Sequence, residues 1–154
     1  MFHSTNPSLF GRPASVLSES HGLRLSVSEL RRVCMSLMSR TPRAFGEADS
    51  GLSELSSRLS AYFNVVESNA HFRAIAEECP SLRNRASAVE KEHEDLKQSV
   101  TWLRDLALHA NATRLARRIG SVLDRLEQHE HAEKELLQDF FLRAGEAEHR
   151  ALRQ

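Results

Sequence analysis

Two cysteines in 154 residues, Cys34 and Cys79, cannot build a disulfide framework and form no CxxC pair. A reducing, cytoplasmic setting is the expectation that follows. Net charge is equally scarce. Twenty-one Lys and Arg balance 21 Asp and Glu, so no general attraction to nucleic acid or to an anionic membrane is expected. No apolar run reaches the ~18 residues of a membrane span. The opening stretch MFHSTNPSLFGRPASVLSES lacks the basic start and apolar centre of a secretory signal. Sustained two-residue alternation is missing, which argues against strands. There is also no glycine-rich phosphate loop and no Ser-His-Asp order.

What the chain does have is a set of apolar stripes that step alternately by four and three residues, the mark of one buried helical face. A first helix is expected over 22–40, with Leu23, Val27, Leu30, Cys34 and Leu37 inward and Thr41-Pro42 as its stop. A second is expected over 52–76, capped by Asp49 or Ser50, with Leu52, Leu55, Leu59, Tyr62, Val66 and Asn69 inward. Its pattern weakens at Asn69-Ala70-His71. A third starts after Pro80 with Ser81 as its cap and runs to 109, burying Leu82, Ala86, Val89, His93, Leu96, Val100 and Leu103. A fourth runs from about 113 to a stop at Gly145. Four such helices with short connections predict an all-α, antiparallel up-down-up-down four-helix bundle over 22–142. Residues 1–21 read as a loose arm, with Phe2 and Phe10 able to dock on the bundle, and 143–154 as a tail.

The fourth stripe carries the chemistry. It reads Leu115, Ile119, Val122, Leu126, His129, Glu133, Leu136, Phe140. Two ionisable residues, one turn apart, occupy positions that should be apolar. A carboxylate on a core face is costly without a partner. The third stripe holds one histidine, His93, in an otherwise aliphatic series. Antiparallel packing of these two helices brings His93, His129 and Glu133 to one layer. Two imidazoles and a carboxylate suffice to hold Zn or Fe with water in the open positions. The competing reading is a buried hydrogen-bond network in which a protonated histidine neutralises Glu133. Tyr62 reads as a core aromatic whose hydroxyl bonds Glu133 or a histidine, with ligation as its sharper alternative.

Glu92-His93-xx-Leu96, followed by Leu126-xx-His129-Glu130-xx-Glu133-xx-Leu136-Leu137, resembles the last two helices of hemerythrin-like (HHE) cation-binding domains. Tyr62-Phe63 and Pro80-Ser81-Leu82 extend the resemblance over about residues 22–142. It implies a four-helix bundle that usually holds two irons, and roles in oxygen binding, iron or oxygen sensing, or redox protection. The family's first-helix histidine matches Leu30 here. Its second-helix HxxxE matches Tyr62 and Val66. With those ligands replaced, the resemblance implies at most one ion, Fe or Zn, on His93, His129 and Glu133, and not a two-iron centre.

Other residues are read plainly. Glu67 and His71 lie about 100° round the helix from Tyr62 and Val66, so they read as a surface or flanking pair, with a small rotation of the helix enough to swing Glu67 towards the centre. His131 and Glu135 form a solvated one. His109 satisfies carbonyls at a helix end, and His3, His21 and His149 receive no role. Arg114, Arg117 and Arg118, and likewise Arg83 and Arg85, are solvated faces without interleaved aromatics. Trp102 packs at a flank, and Cys34 is a small buried hydrophobe. The function expected is a divergent hemerythrin-like protein with a sensing, storage or redox role. The alternative is a metal-free bundle that binds a protein partner or a second copy of itself. An enzyme using Glu133 as base has no substrate pocket visible in the sequence.

Overall fold

The computed structural model describes residues 14–154, with only the backbone at 14, 70 and 71. It is all-helical, with no strand among the described residues. Five α-helices follow in order: α1 (Ala14–Met38), α2 (Ala44–Glu67), α3 (Ala70–Glu78), α4 (Arg83–Ala107) and α5 (Ala112–Ala151). A 3-10 turn, Pro80–Leu82, leads into α4.

The four long helices each touch two others. α1 and α4 both pack against α2 and α5, while α3 lies against α4. The bonds that α1 and α4 make to α5 run in opposite directions along the two helices of each pair. Arg24 meets Glu130 and Arg31 meets Asp124 between α1 and α5. Glu92 meets His129 and Ser99 meets Arg125 between α4 and α5. α1 and α4 therefore both run antiparallel to α5. The shared interior is aliphatic, with Leu37, Leu52, Leu55, Leu96, Leu103 and Leu115 fully enclosed. Burial of such stripes, rather than helix propensity, is what stabilises helices of this kind.

Several boundaries differ from the sequence expectation, each for a local reason. α1 starts at Ala14, so the last residues of the expected arm are helical. Val16 continues the Leu23 stripe, but the buried residue between them is Ser20, which disguises the pattern. Phe2 and Phe10 lie outside the described residues. α2 starts at Ala44, not 52, with Arg43 at the N-cap position and no side-chain capping bond. Its first turns bury Ala44 and Ala48, small residues that read as loop. α2 then ends at Glu67, where the Ser68 hydroxyl donates back to the Asn64 carbonyl at 2.7 Å. What was expected as its continuation is the separate α3, which buries Phe72 and Ile75. Ser81 caps nothing. It sits in the 3-10 turn, and its hydroxyl accepts from Arg143 at 2.6 Å. Gly145 does not stop α5, since one solvent-facing glycine costs only about 1 kcal/mol in a helix.

The turn after α1 closes unusually. Arg40 N–H donates to the Leu37 carbonyl at 3.1 Å and Thr41 N–H to the Ser36 carbonyl at 3.0 Å. This pair of bonds normally ends on a glycine in left-handed geometry. Here Arg40 occupies that position at φ 54°, at a cost of roughly 1–2 kcal/mol.

Candidate metal centre

His93 on α4 and His129 and Glu133 on α5 meet at one level of the interior, each 1% exposed. One ligand atom from each lies within 4.8 Å of the others, and the group could hold a metal ion. His129 Nε2 faces Glu133 Oε2 at 3.7 Å. Two ligands each about 2.1 Å from a common ion are about 3.4 Å apart in tetrahedral geometry and at most about 4.2 Å apart. The closest approach already fits, and the widest needs to contract by about half an ångström or more.

Both imidazoles are held from outside by carboxylates. His93 Nδ1 lies 3.0 Å from Glu67 Oε1, and His129 Nδ1 lies 3.2 Å from Glu92 Oε2. A carboxylate only accepts, so each Nδ1 carries a proton and each ring turns its Nε2 inward. Neither Nε2 has a hydrogen-bond partner, although both are buried. Carboxylate, imidazole and inward lone pair in that order is the arrangement that orients metal-binding histidines and raises their basicity.

Tyr62, on α2, closes the remaining side. Its hydroxyl donates to Glu133 Oε1 at 2.6 Å, as expected of a core tyrosine. That bond fixes the carboxylate and leaves Oε2 toward His129. Phe63 supplies the apolar wall. Its ring stacks on His93 at 3.9 Å and meets His129 edge-on at 5.5 Å. The two imidazoles stand nearly perpendicular, 4.8 Å apart. Burial holds the His93 imidazole below the ordinary histidine range. The Glu67 hydrogen bond opposes this, and His129 and Lys97 add to the fall. The ring is therefore neutral, with its lone pair available, at physiological pH.

Glu67 takes the alternative to a flanking pair and turns towards the centre. Its carboxylate, 44% exposed, reaches in from the end of α2 to His93. Glu92 was read only as a neighbour of His93, yet it orients the histidine on the other helix. The signal for both was present: an acidic residue one helix step off an inward stripe, able to reach round with its long side chain. On α1, Leu30 does not lie at this level. A Cβ on Gly51 would stand 2.8 Å from the end of Leu30, and Gly51 is about 16 Å along α2 from Tyr62. α1 instead presents Ser20, Leu23 and Val27, which line a cavity of about 290 Å³ together with Tyr62 and His129. The Arg24–Glu130 ion pair lies at its rim.

The remaining candidates lie apart from the centre. His131 pairs with Glu135 on an exposed face. His109 is exposed beyond the end of α4. Trp102 is half-exposed, with the Arg118 guanidinium over its ring at 5.8 Å. Cys34 is half-buried and donates weakly to the Ala116 carbonyl, and burial pushes its thiol pKa up. Both cysteines are free. Among the described residues no helix is long and apolar enough to cross a membrane. No protein-family model matches the chain, and no curated protein or solved structure does.

Proposed function

We propose that this chain is a divergent hemerythrin-like protein: an up-down-up-down four-helix bundle of α1, α2, α4 and α5 that holds one Fe or Zn ion on His93, His129 and Glu133. The observation that carries this reading is the pair of buried Nε2 atoms without hydrogen bonds, each opposed by a carboxylate on the far side of its ring. Leaving two such acceptors buried and unsatisfied costs about 1–3 kcal/mol each. Two lone pairs and a carboxylate converging in an apolar layer call for a cation. A second ion has no support, because Leu30 and Val66 offer no ligand atoms and Tyr62 is engaged with Glu133. A cytoplasmic location, consistent with the free thiols, and a role in metal sensing, storage or redox protection belong to the same proposal, the role by resemblance alone.

A metal-free bundle that docks a partner is the second reading. Its support is the exposed apolar side chains of α1: Leu25, Met35 and Met38 are each more than half exposed. Cobalt(II) titration separates the two. Visible d–d absorption that saturates at about one equivalent, and is lost in His93→Ala and in His129→Ala, supports the metal reading. An unchanged spectrum on saturating cobalt sinks it.

A further inference from the structure

A second cavity among the described residues lies away from the metal centre. It has a volume of about 1000 Å³ and lies between the α1–α2 turn and the start of α5. Arg40 lines one side, and Arg114, Arg117 and Arg118 line the other. Leu37 and Ala44, both buried, and the half-exposed Phe45 supply its apolar surface.

We propose that this cavity binds a phosphate-bearing small molecule, its phosphates held by Arg40, Arg114 and Arg117 and its ring or apolar part laid against Phe45. Three observations carry this. First, four arginines without acid partners gather round one cavity. Arg24, Arg31, Arg32, Arg58 and Arg85 are each tied to a carboxylate. Among the described residues no carboxylate pairs with Arg40, Arg114, Arg117 or Arg118, and Arg118 is placed over Trp102 instead. In a chain of zero net charge, a concave patch of uncompensated guanidinium groups is a local choice and not a general excess. Planar guanidinium forks match phosphate oxygens in pairs.

Second, Arg40 occupies the left-handed position that ends α1, where glycine is the relaxed residue. Strain tolerated at one residue of a cavity wall points to a use for that side chain. Third, the amino terminus of α5 opens on the same cavity: Asn111, its cap, Ala112 and Thr113 all line it. The positive end of that helix adds to the arginine field. The size of the cavity and its mixed polar and apolar lining favour a small molecule over a polymer.

Calorimetric titration of the whole protein in about 0.15 M salt with ATP, with pyrophosphate and with a single-stranded oligonucleotide tests the proposal. ATP is expected to bind saturably, pyrophosphate more weakly, and the oligonucleotide no better than either. Arg117→Glu is expected to weaken ATP about tenfold or more. Arg150→Glu, the same charge change roughly 50 Å further along α5, should not. Arg40→Gly should weaken ATP while raising Tm, which separates ligand contact from damage to the fold. The proposal is overturned by the absence of saturable ATP binding at millimolar concentration, or by affinity unchanged in both Arg40→Gly and Arg117→Glu. Equal weakening by Arg150→Glu, or tighter binding of the oligonucleotide, overturns it as well.

Discussion

Tyr62 donates a 2.6 Å hydrogen bond to Glu133, joining α2 to α5 inside a layer from which water is largely excluded. A buried carboxylate needs donors, and the tyrosine hydroxyl is fixed where it can be one. Tyr62→Phe keeps the ring and deletes that donor. It is expected to cost about 1–3 kcal/mol of stability in the metal-free protein, read by denaturant unfolding. If the ion binds, the cost in stability should shrink on loading, because the ion then compensates the carboxylate. Equal stability of Tyr62→Phe and wild type without metal would remove Tyr62 from the account.

Glu67 and Glu92 act on the centre from its rim. Glu67→Ala and Glu92→Ala should each weaken metal binding by about 10–100-fold, measured by chelator competition. Their side chains are 44% and 34% exposed, so thermal stability should change little. A large loss of stability with unchanged metal affinity would make these carboxylates structural props only.

Acid should loosen the metal-free protein through His93. Its pKa in the fold is lowered, chiefly by burial, so in mildly acid solution the unfolded chain takes up a proton that the folded chain refuses. Stability is therefore fully present above the ordinary histidine value of about 6.5 and falls as pH drops from there toward the depressed value. His93→Leu should flatten that part of the curve. Urea midpoints of the two proteins across pH 5–8 test this, and parallel profiles would contradict it.

The glycines of the long helices should respond oppositely to alanine. Gly120, on α5, has open space where a Cβ would go, and Gly120→Ala should stabilise by up to about 1 kcal/mol. Gly51 on α2 has none. A Cβ there would stand 2.8 Å from Leu30, which is wholly buried. Overpacking of this kind costs about 1–3 kcal/mol and outweighs the helix gain. A stabilised Gly51→Ala would show that α1 and α2 can part at this level.

Much of this was legible in the sequence. The heptad steps from Leu115 to Phe140, broken only at His129 and Glu133, identified α5 and the residues that face His93, because burial imposes one period along the whole helix. Helix ends were less legible. Ser20, Ala44 and Ala48 are buried at positions where a small or polar residue looks like loop, so α1 and α2 begin earlier than their leucines suggest. The break at Ser68-Asn69 rests on local backbone bonds that leave no apolar mark. The role of Glu92 was hidden, and that of Glu67 left to a small helix rotation, for another reason. A helical period assigns a residue to a face, while a long carboxylate side chain can cross to the next. The α1 level of the centre depended on register between helices, which Gly51 and Leu30 set through contact alone.

The central claim is that a cation joins His93, His129 and Glu133. Elemental analysis of protein produced with iron and zinc supplied, and purified without chelator, tests it most directly. About one Fe or Zn per chain is expected, falling to near zero in a His93→Ala/His129→Ala variant whose helical circular dichroism is retained. Wild-type protein without stoichiometric metal, or a double variant that carries as much as wild type, would contradict it.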